Sequence, residues 1–415
     1  VPGTKSASSH RLRRLTAAGI LAAASWTADA GLARASDEAN ALLKARFMPV
    51  AVPPGASASG GAPDMVTASL MESLPQLPSF SAKLAPSLAP QTEPGQPSAA
   101  AAPLPAHAGA GTVSGLPWPS GVSCGTQPFE RMRGRRADVY VEFMGKTDWS
   151  SVIRAAQNSA KRHANRNAYP GRLVASVPML TNSTRGQLKQ CANGSFDDEL
   201  TKIAKAFADR GLDNIVFRLG WEPNGYRNFP WSAAYGNPEI YKTCFRRQVM
   251  AVRSQLPNAS VDWTNRRGND LPYPIEMIYP GDDFVDIIGV MIYDRWPVHF
   301  TEGQWQAAYR LRDQFGGPKG LESYLELVRA RGKQLSVSEW AVSNNDNDPS
   351  SRDNPFFIEK MFQFFRDNAS QIAYEAYFNC GTTRGKGPNG GYRLAPTTHN
   401  PKSKARYAAL WGPAD

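Results

Sequence analysis

Histidine and cysteine are scarce in this 415-residue chain, which holds five of the first and four of the second. The histidines are scattered and the cysteines lack metal-ligand spacing, so no metal site is expected. A glycine-rich phosphate loop and a serine nucleophile elbow are both missing. Nucleotide chemistry and ester hydrolysis by that device are therefore set aside, and no cofactor is expected. The apolar run from Leu15 to Trp26 is too short to span a bilayer comfortably. Acidic residues are outnumbered, 36 against 47 Lys and Arg, for a formal charge of +11.

What is present falls into three parts. His10-Arg-Leu-Arg-Arg14 precedes the apolar run, and Ala28–Ala30 and Ala33–Ala35 offer small-residue cleavage sites. Residues 1–35 thus read as a signal peptide, or a membrane anchor if uncleaved. Residues 36–114 are dominated by Ala, Pro, Ser and Gly; such a segment buries too little apolar surface to offset chain entropy and reads as a disordered linker. Residues 115–415 carry the core and all four cysteines. In an exported protein these form two disulfides, with three connectivities open. The basic cluster Arg131–Arg136 lies in no nucleic-acid motif. A solvated basic face is its simplest meaning, and an acidic polymer or cell surface is a better partner than nucleic acid.

From residue 115 the chain alternates strand-like and helix-like segments. Short apolar runs centre on 121–124, 137–144, 173–179, 214–219, 260–264, 284–293, 334–342 and 372–378. Between them lie stripes at helical spacing, with start signals at Asp148, Ser195/Asp198, Asn237-Pro238, Asn354-Pro355 and Asn400-Pro401. Eight such repeats over roughly 300 residues predict a (β/α)₈ TIM barrel. A doubly wound open sheet is the alternative, but no Gly-rich turn follows the first strand.

Barrel active sites sit at the C-terminal ends of the strands. Glu222 follows the fourth run, in Arg218-Leu-Gly-Trp-Glu-Pro-Asn-Gly225, and Glu339 ends the seventh, in Ser338-Glu-Trp340. A glutamate on each of strands four and seven resembles the large superfamily of retaining glycoside hydrolases. Most nearly it resembles glycoside hydrolase family 26, the β-mannanases and relatives, over about residues 115–412. Trp221 stands where that family has a histidine. The resemblance implies that Glu222 is the acid/base, that Glu339 is the nucleophile, and that Tyr293, ending strand six, steadies the nucleophile. The residue types agree: retaining hydrolysis needs one carboxyl that donates then accepts a proton and a second that stays ionised. Trp221 would desolvate the first, and Arg218 would favour the charge of the second.

Further substrate contacts are expected from Asn224, from Asp294 (equally a loop cap), and from aromatic residues on the same rim. These are Trp221, Tyr226, Phe229, Trp231, Trp263, Trp296, Trp340 and Tyr377, on which sugar rings could stack. Arg266, Arg267, Arg295 and Arg384 fall in predicted loops after strands five, six and eight, where guanidinium groups could bind uronates. Strands one and eight adjoin where a barrel closes, so the same count pairs Cys124 with Cys380 and Cys191 with Cys244. The expectation is a secreted, periplasmic or surface retaining endo-β-glycanase, a monomer, acting on a β-mannan-like or acidic polysaccharide. The competing reading is a non-catalytic polysaccharide-binding barrel.

Overall fold

The computed structural model describes residues 111–295, 297–344, 351–381 and 391–413. The expected signal segment and almost all of the linker therefore lie outside the described residues, as do Trp296 and Arg384. Eight strands form: β1 (Ser120–Ser123), β2 (Val139–Phe143), β3 (Arg172–Val177), β4 (Val216–Leu219), β5 (Ser260–Arg266), β6 (Ile287–Tyr293), β7 (Gln334–Ala341) and β8 (Ile372–Phe378). They pair in chain order, all parallel, and β8 closes onto β1. The sheet has no edge, so the fold is a (β/α)₈ barrel and not an open sheet.

Helices α1 (Thr126–Arg133), α2 (Trp149–His163), α3 (Leu188–Ala192), α4 (Asp197–Ala208), α5 (Pro238–Arg253), α6 (Glu302–Tyr309), α7 (Leu321–Ala330), α8 (Pro355–Asp367) and α9 (Pro401–Trp411) lie between and after the strands. Local chemistry sets several starts. Asp148 and Ser151 form a reciprocal capping box on α2. Asn237 and Asn354 accept from Ile240 N and Phe357 N ahead of first-turn prolines. The box expected at Ser195 and Asp198 does not form. α3 occupies the preceding stretch, the Ser195 amide bonds back to Gln190, and α4 begins at Asp197 with no side-chain cap. Three acidic residues in its first turn complement the helix dipole instead.

Strand side chains alternate between the barrel lumen and the helical shell. The shell side is one continuous apolar core, including Phe207, Phe217, Trp263, Trp340, Phe365, Tyr377 and Trp411. The lumen is layered. Its floor is apolar, built from Val139, Val141, Val174, Val216 and Ile287 with Tyr374 and Ala376. Above it lies a polar layer. Asp262 accepts hydrogen bonds from Thr264 Oγ1 (2.8 Å), Ser336 Oγ (2.7 Å) and Tyr374 Oη. Gly289 on β6 makes room for this layer, since a Cβ there would lie 2.4–2.7 Å from Ser336 Oγ, Thr264 Oγ1 and Asp262 Oδ1.

Two disulfides brace the shell. Cys124–Cys380 ties the chain after β1 to the chain after β8, and Cys191–Cys244 ties α3 to α5, the pairs that the strand count required.

Overpacking of this kind costs about 1–3 kcal/mol, so Gly289→Ala should lower unfolding stability by that amount in chemical denaturation. Gly303→Ala, in the first turn of α6 with nothing within 4 Å of its added carbon, should not lower it.

Candidate active site

The fourth strand ends at Leu219, and the next three residues turn the chain sharply. Gly220 has φ 49° and Glu222 φ 54°, both left-handed. A Cβ on Gly220 would also collide with the Met179 side chain at 2.5 Å, so glycine is required there twice over. For Glu222 the conformation costs about 1–2 kcal/mol. It is held by a hydrogen bond from the Glu222 amide to Thr264 O on β5 (2.9 Å). Asn224, buried just beyond, clamps the same two segments: Nδ2 donates to Arg266 O and Gly268 O, and Oδ1 accepts from Arg266 N.

Glu339 reaches the lumen by a different device. Between Gly289 and Met291 β6 advances two residues, while its partner β7 advances three, from Ser336 to Glu339. Against β8 the same excess appears between Val337 and Trp340. This bulge breaks the alternation, so Ser336, Ser338 and Glu339 all face inward while Trp340 faces the helices.

There Glu339 accepts from Arg218 Nη2 and from Tyr293 Oη (2.7 Å). Arg218 is completely buried. Its other donors go to Thr264 Oγ1 (3.2 Å), Ser176 Oγ (3.0 Å) and Met291 Sδ (3.0 Å). Two donors on one carboxylate stabilise its charged form. Glu222 is in the opposite situation. Desolvation first, and the Glu339 charge second, push it up to about 7, with Arg266 and Arg218 opposing. Burial and the Glu339 charge keep the Tyr293 hydroxyl protonated. The pair is thus one carboxyl able to hold a proton near neutrality beside one arranged to be an anion, which suits proton transfer coupled to nucleophilic attack.

The strand ends supply an aromatic wall. Phe143 on β2 meets Trp221 (5.3 Å) and Phe378 on β8 (6.3 Å), both edge-on. Tyr293 packs edge-on against Phe378 (5.7 Å) and tilted against Tyr392 (4.9 Å). Phe143, Phe378 and Tyr392 were not anticipated. Alternation could have found the first two, because each follows an inward-facing partner two residues earlier, Val141 and Ala376.

Several residues expected to bind substrate lie elsewhere. Trp263, Trp340 and Tyr377 are on the shell side, at most 1% exposed, packed on Tyr279, on Trp411 and on Phe129 respectively. Each occupies the outward parity of its strand. Trp231 is fully buried beneath Trp221 and Phe229, donating to Trp221 O. Asn224 is the clamp already described. Asp294 is buried and organises the loop after β6, accepting from the His299 amide (2.9 Å) and from Asn354 Nδ2 (2.7 Å). Of the rest, Trp221 packs on Phe143 and Trp231, Tyr226 is exposed, and Arg218 and Tyr293 contact Glu339. The expected arginines are engaged within the protein: Arg266 with Asp270, Arg267 with His299 Nε2 and Ala308 O, Arg295 with Tyr392 Oη.

A (β/α)₈ barrel carrying this pair of unlike carboxyls at its C-terminal mouth defines a class, the glycoside hydrolases. Residues 172–354 match the model of Glycosyl hydrolase family 26, a segment from β3 to the cap of α8 that contains both glutamates. The barrel is a glycoside hydrolase, and the matched segment is similar to family 26. No curated protein sequence matches the chain. Among solved structures, a modular endo-β-1,4-mannanase from Cellulomonas fimi is 20% identical, with 70% of each chain covered and a TM-score of 0.53. The catalytic domain of a Bacillus sp. JAMB-750 family 26 endo-β-1,4-mannanase is 17% identical over 72% of this chain and 88% of its own, with a TM-score of 0.51. At these identities the likeness is one of fold.

In protein labelled with ¹³C-glutamate, one side-chain carboxyl should titrate near pH 7 and disappear in Glu222→Gln. In Glu339→Gln it should titrate at lower pH, because the neighbouring negative charge that favours protonation is gone. Glutamates titrating only in the ordinary range would contradict the geometry.

Proposed function

We propose that this enzyme hydrolyses internal β-glycosidic bonds of a β-mannan-like polysaccharide outside the cytoplasm, with Glu222 as acid/base and Glu339 as nucleophile. The observation that carries the assignment is the split environment of the two carboxyls: burial and a neighbouring charge keep a proton on Glu222, while Arg218 and Tyr293 both donate to Glu339. The mannanases of like fold support the substrate class, and two disulfides suit an oxidising compartment.

In the first step a Glu339 oxygen attacks the anomeric carbon as the bond to the leaving oxygen breaks. Glu222 passes its proton to that oxygen, leaving a glycosyl ester on Glu339 and a carboxylate at Glu222. Water then enters, Glu222 takes one of its protons, and the resulting hydroxyl displaces Glu339 from the anomeric carbon. Two inversions give retention. Tyr293 donates to Glu339 throughout.

Rates should fall as pH rises through about 7, where Glu222 loses the proton that the first step requires. Glu222→Gln should reduce kcat on β-1,4-mannan by about 10²–10⁴-fold, and far less on a dinitrophenyl glycoside, whose leaving group needs no proton. Glu339→Gln should abolish turnover on both. Tyr293→Phe should cost about 10–100-fold, the value of a charged hydrogen bond. Proton NMR of the first product should show the β anomer; an initial α anomer would overturn the double displacement.

A further inference from the structure

We infer that the loops after β2, β3 and β4 form a cationic subsite for carboxylate-bearing residues of the polysaccharide, so that the natural substrate is a uronate-containing glycan. The inference rests on the reading that the cleft holds a polysaccharide, and it narrows that reading to acidic chains.

Three cations from three loops converge on one side of the mouth. Lys146, after β2, holds its Nζ 5.7 Å from the centre of the Phe229 ring. Arg185, after β3, donates to Tyr235 Oη (3.2 Å), Arg227 O (3.4 Å) and Asn182 Oδ1 (3.5 Å). Arg227, after β4, lies over the rings of Tyr226 and Tyr235, 5.4 Å from each centre. Among the described residues no carboxylate pairs with any of the three. Several arginines elsewhere on the surface do find one, among them Arg247 with Asp197, Arg253 with Asp286, Arg266 with Asp270 and Arg312 with Glu326.

The arrangement is built, not a set of loose side chains. The Asn182 amide donates to Lys146 O (2.7 Å), joining the first loop to the second, and the Gly186 amide donates to Pro230 O (2.9 Å), joining the second to the third. Arg227 sits in the left-handed region with φ 51°, its amide bonded to Ser232 Oγ (3.1 Å). Backbone strain on an exposed arginine is unusual; here it sets the guanidinium against two tyrosine faces. Cation–π attraction to both rings steadies that group, and a guanidinium can pair with a carboxylate through two N–H groups at once. Arg185 and Arg227 share Tyr235, so two guanidinium groups repel one another unless an anion lies between them.

The patch is continuous with the catalytic mouth. Phe229, beneath Lys146, packs on Trp221 at 5.5 Å, and Trp221 adjoins Glu222. Tyr226, 54% exposed, offers a free ring face beside Arg227 on which a sugar can stack. A polymer lying across the mouth would pass from the two glutamates onto a surface of aromatic faces and unpaired cations, which fits a sugar bearing a carboxylate on an apolar ring.

The test compares two oligosaccharides with the same β-1,4-linked manno backbone, one carrying C6 carboxylates (oligomannuronate) and the other C6 hydroxymethyls (manno-oligosaccharide). Their affinities for the full-length protein carrying Glu339→Gln, which turns neither over, would be measured by calorimetry. Tighter binding of the uronate by about tenfold or more is expected, the value of a charged hydrogen bond. Added sodium chloride should erode that preference, and Arg185→Glu with Arg227→Glu should remove it while thermal unfolding stays unchanged. Equal or tighter binding of the neutral oligomer would overturn the inference, as would uronate binding indifferent to charge reversal or displaced as well by polyglutamate. Because binding is read without turnover, such a failure leaves the proposed hydrolysis standing. Loss of that hydrolysis would show instead as inactivity on neutral and acidic glycans alike.

Discussion

The contact on which the rest of this structure depends is the buried pair of Arg218 and Glu339. Arg218 is fully buried and Glu339 nearly so, and withdrawing either charge would strand the other at a cost of about 3–5 kcal/mol. The barrel meets that demand with a polar layer set into an otherwise apolar lumen: Ser176, Asp262, Thr264, Ser336 and Tyr374 come from four of the strands. Thr264 connects both halves of the site. Its hydroxyl accepts from Arg218 and donates to Asp262, while its carbonyl receives the amide of Glu222. A shift of β5 would therefore disturb both carboxyls together.

Two departures from regular backbone aim those carboxyls. On β7 a single extra residue reverses the alternation, so Glu339 turns inward and Trp340 joins the shell. After β4 the left-handed residues Gly220 and Glu222 fold the chain across the mouth. Irregular backbone is otherwise rare in the strands, and its concentration here follows from function: regular strands would leave at least one of the two glutamates facing the wrong way.

Around this frame the loops carry different loads. The loop after β6 is braced by Asp294, His299 and Asn354, and Arg267 donates to the far nitrogen of His299. Burial lowers the His299 pKa, and with Nδ1 facing Asp294 and Nε2 facing Arg267 the ring is neutral with its proton on Nδ1. Polar side chains there serve architecture. The loops after β2, β3 and β4 are the reverse: their cations have no carboxylate partner among the described residues and face outward. Burial and pairing, not residue type, separate the two.

Much of the fold was legible in the sequence because its causes are local. Eight apolar runs with proline and asparagine helix starts gave the strand count and the barrel, and the count in turn gave the disulfide pairs. The two glutamates were legible because strand ends share a face. What the chain could not declare was side-chain parity. Trp263, Trp340 and Tyr377 look like rim aromatics in a list of residues, yet one position along a strand exchanges mouth for shell, and a bulge shifts that count without leaving a mark in composition. The split between the two carboxyls, Glu222 pushed up by burial and Glu339 held by Arg218, likewise arises only when distant strands close into a ring. The sequence alone determined which elements form and where acidic groups stand along them. The closed barrel decided which way they face and what lies beside them, because direction and desolvation are properties of packed neighbours, not of a residue in its own segment.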